Sequence, residues 1–547
     1  MFRPKIMSCI CTLDPFPAIA QLAKEARPWV DLAITGFHPC RGQPSAGWPQ
    51  ASLPSPTTMK SNQYRALARL REKRYRSAKE RLTKGCGKVL QMGSVLAALL
   101  ASSPVNAEAL DPILAKRLDG EVLRVLDGDH TPSASIAIVQ GGRLTYAAAY
   151  GQARILTAIP ATTKTRYQLA SISKTFTAQA LLLLEQDGKL RLDDRVSRWI
   201  PGLSGGDRIT VRQLLEHISG YPDHYPQTYP AGSRTQPTTP DAIIAEWGRH
   251  PLLFEPGTRF RYSNLNYVIA GRIAEKASGE SLFAFLQRRV FSPLNMSATM
   301  NLDDIGPQTP DVAVGYVRPA LAALRPAPNE GRGWSFGAGE VVTTATDLAR
   351  WDAAFLSGRL LVPQQAREEV TTPKLKDGSQ SPYALGLFVS QRGGRRLFYH
   401  AGQSLGFLAI NRIYPSEGIA VVVLTSDDSS SSAFIHIADR IAYLIVPPTK
   451  ADAQARAVFA AVQQNRLDRS QASSDFNAYF DAKMAHTYAE SLGPLGEPDS
   501  FDLLNEDQSD GLTTRVYDVS AGGRRLKVVE QLSADGLVES FEVQAAE

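Results

Sequence analysis

Two groups of strand-forming residues stand at opposite ends of a long helical stretch, and neither group can bury its apolar side chains without the other. The first, "SASIAIVQGGRLTYAAAYG" (residues 133–151), reads as two strands joined at Gly141-Gly142, because a Gly-Gly pair supplies the positive φ angles of a two-residue hairpin. The second, "RRLFYHAGQSLGFLAINRIYPSEGIAVVVLTSDD" (residues 395–428), holds apolar runs divided by "YPSEG". Between them apolar residues recur at three and four, as in "ITVRQLLEHISG" and "YVIAGRIAEKASGESLFAFLQRRVF". The expected fold class is α+β, with a sheet closed by strands from both chain ends and flanked by a helical region.

This unit is expected to span residues 110–447. Its last element, "FIHIADRIAYLIV", predicts a helix packed on the sheet, and "PPTKADA" reads as a linker, placed at 448–453. Residues 454–547 are expected to form a small α+β accessory domain. It would hold one or two helical segments over 454–492, followed by a meander of "LTTRVYDV", "RRLKVVEQL" and "LVESFEV". That domain shows no catalytic constellation. Capping a groove, binding an envelope polymer and mediating assembly all remain open for it.

Charge is very unevenly distributed. The chain carries +6 overall, which on its own would suggest a nucleic-acid partner. Residues 59–91 hold eleven Lys and Arg against two Glu, and residues 1–58 are also basic, so the remainder is mildly acidic. The basic block is followed by "VLQMGSVLAALLASSPVNAEAL", a short apolar run and then small residues around Ala107. Basic, apolar and small-residue regions in that order predict a secretory leader over 59–107, with cleavage after Ala107 or Ala109. The run is too short to span a bilayer comfortably, so no stable membrane span is expected after processing. Residues 1–58 precede the internal Met59 and are expected to be disordered or to lie upstream of the true start. The processed chain is thus expected to be exported, to the periplasm or beyond, with no nucleic-acid partner. Its oligomeric state is not fixed by these features.

All four cysteines, Cys9, Cys11, Cys40 and Cys86, precede Ala107. Processing would leave none, which excludes disulfides, thiol catalysis and cysteine-bound metal. His130, His224, His250, His436 and His486 form no metal-ligand spacing, and there is no H-E-x-x-H. The segment "GAGEVV" lacks the glycine pattern of nucleotide sites, and no Walker loop is present. No metal or cofactor is implied.

The chemistry is carried by "QLASISKTFTAQALLLLEQDGKL" (residues 168–190), where Ser171 and Lys174 share one face at the start of a predicted helix. A serine at a helix N-terminus sits among free N–H groups that stabilise negative charge, and it can attack a carbonyl if a base takes its proton. Alone the pair is a weak signal, since roughly one or two S-x-x-K matches are expected by chance in a chain of this length.

Its surroundings make it specific. The run "YQLASISKTFTAQALLLLEQDGKLRLDDRVSRWIPGL" resembles the serine β-lactamase and penicillin-binding-protein superfamily, in its class C β-lactamase-like branch. The resemblance continues through "ITVRQLLEHISGYPDH", "FEPGTRFRYSNLNYVIAGRIAEKASG", "FGAGEVVTTATDLARW" and "YHAGQSLGFLAINRIYPSEGIAVVVLTSDD", and covers nearly all of residues 110–447. It implies a β-lactamase/transpeptidase-like fold. It also implies Ser171 as nucleophile and Lys174 as its partner base. The Y-x-N element falls on Tyr262, Ser263 and Asn264, with Tyr262 moving protons and Asn264 binding Lys174 and the substrate's amide. The third motif is His400-Ala401-Gly402, the H-x-G form that resembles related esterases and D-amino-acid-specific peptidases, in place of K-T-G. Gly402 would let substrate lie close to the strand, and the N–H groups of Gln403 and Ser171 would form the oxyanion hole.

Ala401 offers no hydroxyl and His400 is expected to be only partly charged at neutral pH, so recognition of a β-lactam's carboxylate is weakened. His217, at a predicted helix end, is expected to be structural and to bond terminal carbonyls. Residues 221–241, "YPDHYPQTYPAGSRTQPTTPD", either shape one wall of the site or form a rigid surface loop. The leading expectation is an exported serine hydrolase forming an acyl-enzyme with a small acyl ester or a D-residue peptide. A class C-like β-lactamase, a penicillin-binding DD-peptidase and a non-catalytic binding protein are the alternatives.

Overall fold

The computed structural model describes residues 109–547, apart from 226–233, 307–308, 320–321, 393–394, 429–431, 510 and 547. The leader and everything before it lie outside the described residues. The described residues open with helix α1 (Pro112–Gly128), capped by the Asp111 carboxylate, and enter the sheet through β1 (Ser133–Gln140) and β2 (Arg143–Arg154). Gly141 and Gly142 take φ of +58° and +72°, the left-handed pair that a two-residue hairpin needs.

The sheet is completed by the short β3 (Ile159–Pro160) and, far downstream, by β4 (Phe388–Arg392), β5 (Arg395–Ser404), β6 (Phe407–Tyr414) and β7 (Ile419–Thr425). Its order is β3-β2-β1-β7-β6-β5-β4, antiparallel throughout the described residues. The two chain ends meet where β1 pairs with β7, Ile136 opposite Val423 and Ile138 opposite Val421. Both strands are buried on both faces, so they read as continuous apolar runs.

Alternation sorts their side chains. Ala137, Val139, Val422 and Leu424 face the helical region, whereas Ile136, Ile138, Val421 and Val423 face α1 and the helix α5 (Ala433–Ile445). Full burial of such Val and Ile side chains contributes roughly 1.5–3 kcal/mol each.

In the helical region, α2 (Ser173–Gln186) is buried around its whole circumference from Ser173 to Leu184. The helix α3 (Asn264–Ser278) packs against it and stops at Gly279, which has φ +80°. That glycine interrupts the helical run "YVIAGRIAEKASGESLFAFLQRRVF", and a shorter helix follows at Leu282–Leu286. The helix α4 (Ala345–Leu356) lies against β1 and β7.

The C-terminal region differs from the expectation in two places. The linker placed at 448–453 is mostly helix. Pro447-Pro448 follows α5, and α6 (Lys450–Gln463) begins at once, because Thr449 and Asp452 form a reciprocal capping box. The meander has four strands: β8 (Ser500–Ser509), β9 (Leu512–Ala521), β10 (Arg524–Leu532) and β11 (Val538–Ala545). The first was missed because its second half is exposed and acidic, with no alternation to read.

Helices α6 and α7 (Ala482–Leu492) pack with that sheet around Phe459, Phe501, Tyr517 and Phe541. Arg440 of α5, nearly buried, donates to Glu121 of α1 at 2.9 Å, to Glu497 at 3.2 Å and to the Pro498 carbonyl. The accessory domain is therefore fastened to the α1 and α5 side of the main sheet. No helix among the described residues is long and apolar enough to cross a membrane.

One buried pair lies beside the site-bearing strand. Asn411 of β6 stands opposite His400 of β5 and donates to Asp352 of α4 at 2.7 Å. Burial pushes the Asp352 carboxyl up to about 8, and Glu216 and Glu369 are raised to about 8 in the same way. A carboxyl whose folded pKa lies above its unfolded value stabilises fully below about pH 4, and that contribution is lost as pH rises through the folded pKa. Thermal stability is therefore expected to fall between pH 5 and pH 8. Asp352→Asn cannot ionise, so its melting temperatures at pH 5, 7 and 9 should lie closer together than those of the wild type. A uniform displacement at every pH would contradict the assignment.

Candidate active site

Ser171 sits in a tight turn, Ala170–Ile172, that runs directly into α2. The preceding Ala170 has φ +45°, a strained conformation for a residue with a Cβ. The turn is fixed from both sides: the Leu169 N–H donates to the Val341 carbonyl at 2.9 Å, and the Val341 N–H donates to Ser173 Oγ at 3.0 Å.

Lys174, three residues on, is fully buried. Its Nζ donates to Ser171 Oγ at 3.0 Å, to Asn264 Oδ1 at 2.8 Å and to the Ala338 carbonyl at 2.8 Å. It also stands 5.0 Å from the ring centroid of Tyr262. The three residues implied as catalytic thus converge, together with Asn264, although the Ser171–Lys174 and Tyr262–Asn264 segments lie far apart in the chain. Ala338 was not singled out in advance, because a main-chain carbonyl leaves no mark in the sequence.

His217 has a different partner from the one expected. It does lie just past a short helix, Val211–Leu215, with φ +56°. Its Nδ1, however, accepts the Ser263 N–H at 3.2 Å and faces Asn266 Nδ2 at 3.1 Å, rather than binding terminal carbonyls. The ring lies 4.2 Å, centroid to centroid, from that of Tyr262. Burial holds its pKa well below the usual value, so the ring is neutral and its lone pair remains available as an acceptor. His217 thereby supports the Tyr262–Asn264 segment from behind.

His400 is neutral rather than partly charged. Burial, aided by the Lys174 charge, lowers it to about 3. Its two nitrogens are committed: Nδ1 donates to the Ala401 carbonyl at 2.7 Å, and Nε2 accepts from the Tyr383 hydroxyl at 2.9 Å. Gly402 has a role besides leaving room for substrate. A Cβ there would lie 2.1 Å from the Leu169 carbonyl oxygen, so β5 and the Ser171 turn can touch only through a glycine.

A cleft opens over Ser171. It is lined by Tyr262, Asn264, His400, Ala401 and Gln403, and by the aromatic walls Tyr225, Trp334 and Phe388. Tyr225 places part of the 221–241 segment at the site, and its hydroxyl donates to Glu330 at 2.6 Å while Arg234 lies 3.6 Å over its ring. Residues 226–233 of that segment are outside the described residues. No residue after 447 lines the cleft, so the accessory domain does not cap it among the described residues. No group of three His, Cys, Asp or Glu that could hold a metal occurs among them either.

The model of the Beta-lactamase family matches residues 117–444. Penicillin-binding protein 4* of Bacillus subtilis (strain 168) is 25% identical over 393 residues, covering 68% of this chain and 87% of that protein. Among solved structures, a D-stereospecific amidohydrolase from Streptomyces sp. aligns with TM-score 0.51 and 26% identity, over 58% of this chain and 98% of its own. An octameric penicillin-binding protein homologue from Pyrococcus abyssi aligns with TM-score 0.55 over 78% of this chain and 99% of its own; at 20% identity this shows the fold alone.

Gly402→Ala is expected to separate β5 from the Ser171 turn. A displacement of about 1 Å at a reacting group costs on the order of 100-fold in rate, and initial rates on any turned-over substrate should fall by that much. Retention of more than half the activity in a folded G402A protein would show that the contact is not needed.

Proposed function

The chain belongs to the beta-lactamase family, and on that premise we propose that it is an exported serine hydrolase forming an acyl-enzyme with apolar acyl esters or amides that carry no carboxylate, D-residue amides included. The observation that carries the reading is the buried Lys174 ammonium held 3.0 Å from Ser171 Oγ, under a cleft with room for an acyl group.

In this reading Tyr262 acts as a phenolate held beside the Lys174 ammonium: Ser171 Oγ bonds to the substrate carbonyl carbon, the carbonyl π pair moves onto oxygen, and the Ser171 proton passes to the Tyr262 oxygen. The Ser171 and Gln403 N–H groups hold the oxyanion. Collapse breaks the bond to the leaving group, which takes the proton from Tyr262. Water, deprotonated by the same Tyr262 oxygen, then releases the acid and frees Ser171. Asn264 Nδ2 directs one hydrogen at Asp223 and keeps the second for a substrate carbonyl.

Substrate charge follows from the walls. His400 is neutral, Ala401 has no hydroxyl, and Tyr225, Trp334 and Phe388 give apolar surface, so a β-lactam's carboxylate would meet no fixed cation along the described lining. The 26% identical amidohydrolase, described as D-stereospecific, supports the amide branch. Export is supported by the basic, apolar and small-residue order of residues 59–107.

The test compares kcat/KM on a short-chain p-nitrophenyl ester, a D-phenylalanine anilide and a chromogenic cephalosporin, with Ser171→Ala in parallel. The ester or the D-anilide should exceed the cephalosporin by about 100-fold or more, and S171A should lose activity by on the order of 1,000-fold or more. A preference for the cephalosporin would overturn the substrate reading. Equal inertness of wild type and S171A would leave a binding groove in place of an enzyme.

A further inference from the structure

We propose that Asp223 is a positioning residue of this site: its carboxylate fixes which end of the Asn264 amide faces Lys174, and thereby sets Lys174 against Ser171. Asp223 lies outside the three motifs and rests on the hydrolase reading only in that its effect is read at Ser171. Its Oδ1 accepts the main-chain N–H of Asn264 at 2.9 Å, and its Oδ2 accepts the side-chain Nδ2 at 3.1 Å. The carbonyl end of the same amide then accepts from Lys174 Nζ at 2.8 Å. The Tyr225 N–H, donating to Asp223 Oδ1 at 3.2 Å, fixes the carboxylate on the loop that walls the cleft.

The two neighbours of the amide leave it one orientation. A carboxylate only accepts and an ammonium only donates, so the NH₂ must face Asp223 and the oxygen must face Lys174. Reversing the amide would replace two hydrogen bonds by two repulsive contacts. Without that constraint the NH₂ can turn toward the ammonium. Lys174 would then lose the Asn264 acceptor and leave the position from which it reaches Ser171 Oγ. Asp223 touches neither Ser171 nor the space above it, so it acts through Asn264.

Asp223→Asn separates this role from simple support of the fold. It preserves shape and the acceptor for the Asn264 N–H, but its own NH₂ can face Asn264 and permit the reversal. The double variant D223N/N264D restores the pattern with the charges exchanged: the carboxylate introduced at 264 accepts from Lys174 and from the amide introduced at 223. The readouts are the second-order rate of labelling by a fluorophosphonate, located by peptide mapping, and kcat and KM on the preferred substrate. Each is measured well below the variant's melting temperature.

Wild type should be labelled at Ser171. D223N should lose on the order of 10- to 100-fold in labelling rate and kcat, with KM within about threefold. The double variant should recover labelling at least severalfold over D223N, an outcome that general destabilisation would not produce. D223N labelling at the wild-type rate, or a double variant no faster than D223N, would overturn the proposal while leaving the hydrolase reading intact. A wild-type protein not labelled at Ser171 would instead defeat the hydrolase reading and this proposal with it.

Discussion

An ammonium group with no access to water is the constraint on which the rest of this structure depends. Desolvating such a charge costs several kcal/mol unless its hydrogens find acceptors. For Lys174 acceptors are contributed by the turn before α2, the first residue of α3 and the carbonyl of Ala338. Those segments are spread over more than 160 residues of chain, so the ammonium is satisfied only when the helical region has closed around it. The same closure brings Ser171 and Tyr262 to one point.

The supports behind that point are neutral or acceptor groups, as a buried cation requires. The N-terminus of α3 receives no capping bond from the Ser263 side chain, whose hydroxyl donates to the Pro222 carbonyl instead. The N–H groups that open it are taken up by His217 and Asp223 from a loop some forty residues earlier. A protonated His217 could not accept the Ser263 N–H, and its burial beside Lys174 keeps it neutral. Close packing has the same effect on the strand side, where Gly402 admits the Leu169 carbonyl and His400 is tied to Tyr383. The outcome is a cleft whose walls are aromatic and uncharged over a reactive centre that carries a concentrated positive charge.

Much of this was legible in the sequence. The sheet closed by both chain ends followed from two separated strand groups, and the Gly141-Gly142 hairpin from its turn residues. The S-x-x-K, Y-x-N and H-x-G segments marked residues that the fold brings together. What stayed hidden depends on tertiary contacts. The partner of His217 and the role of Asp223 are visible only once a loop meets the start of a distant helix. The neutrality of His400 follows from burial, and β8 lacks alternation because half of it is exposed and acidic. The early start of α6 was overlooked because Thr449 and Asp452 form a cap inside a stretch that reads as a linker.

The central claim is that the buried lysine makes Ser171 a nucleophile. The most direct measurement is the intact mass of the protein quenched during turnover of an ester or amide substrate, followed by peptide mapping. The account predicts a mass increase equal to one acyl group, located on Ser171 and lost on further incubation. Turnover with no adduct at Ser171, or with the acyl group on another residue, would contradict it.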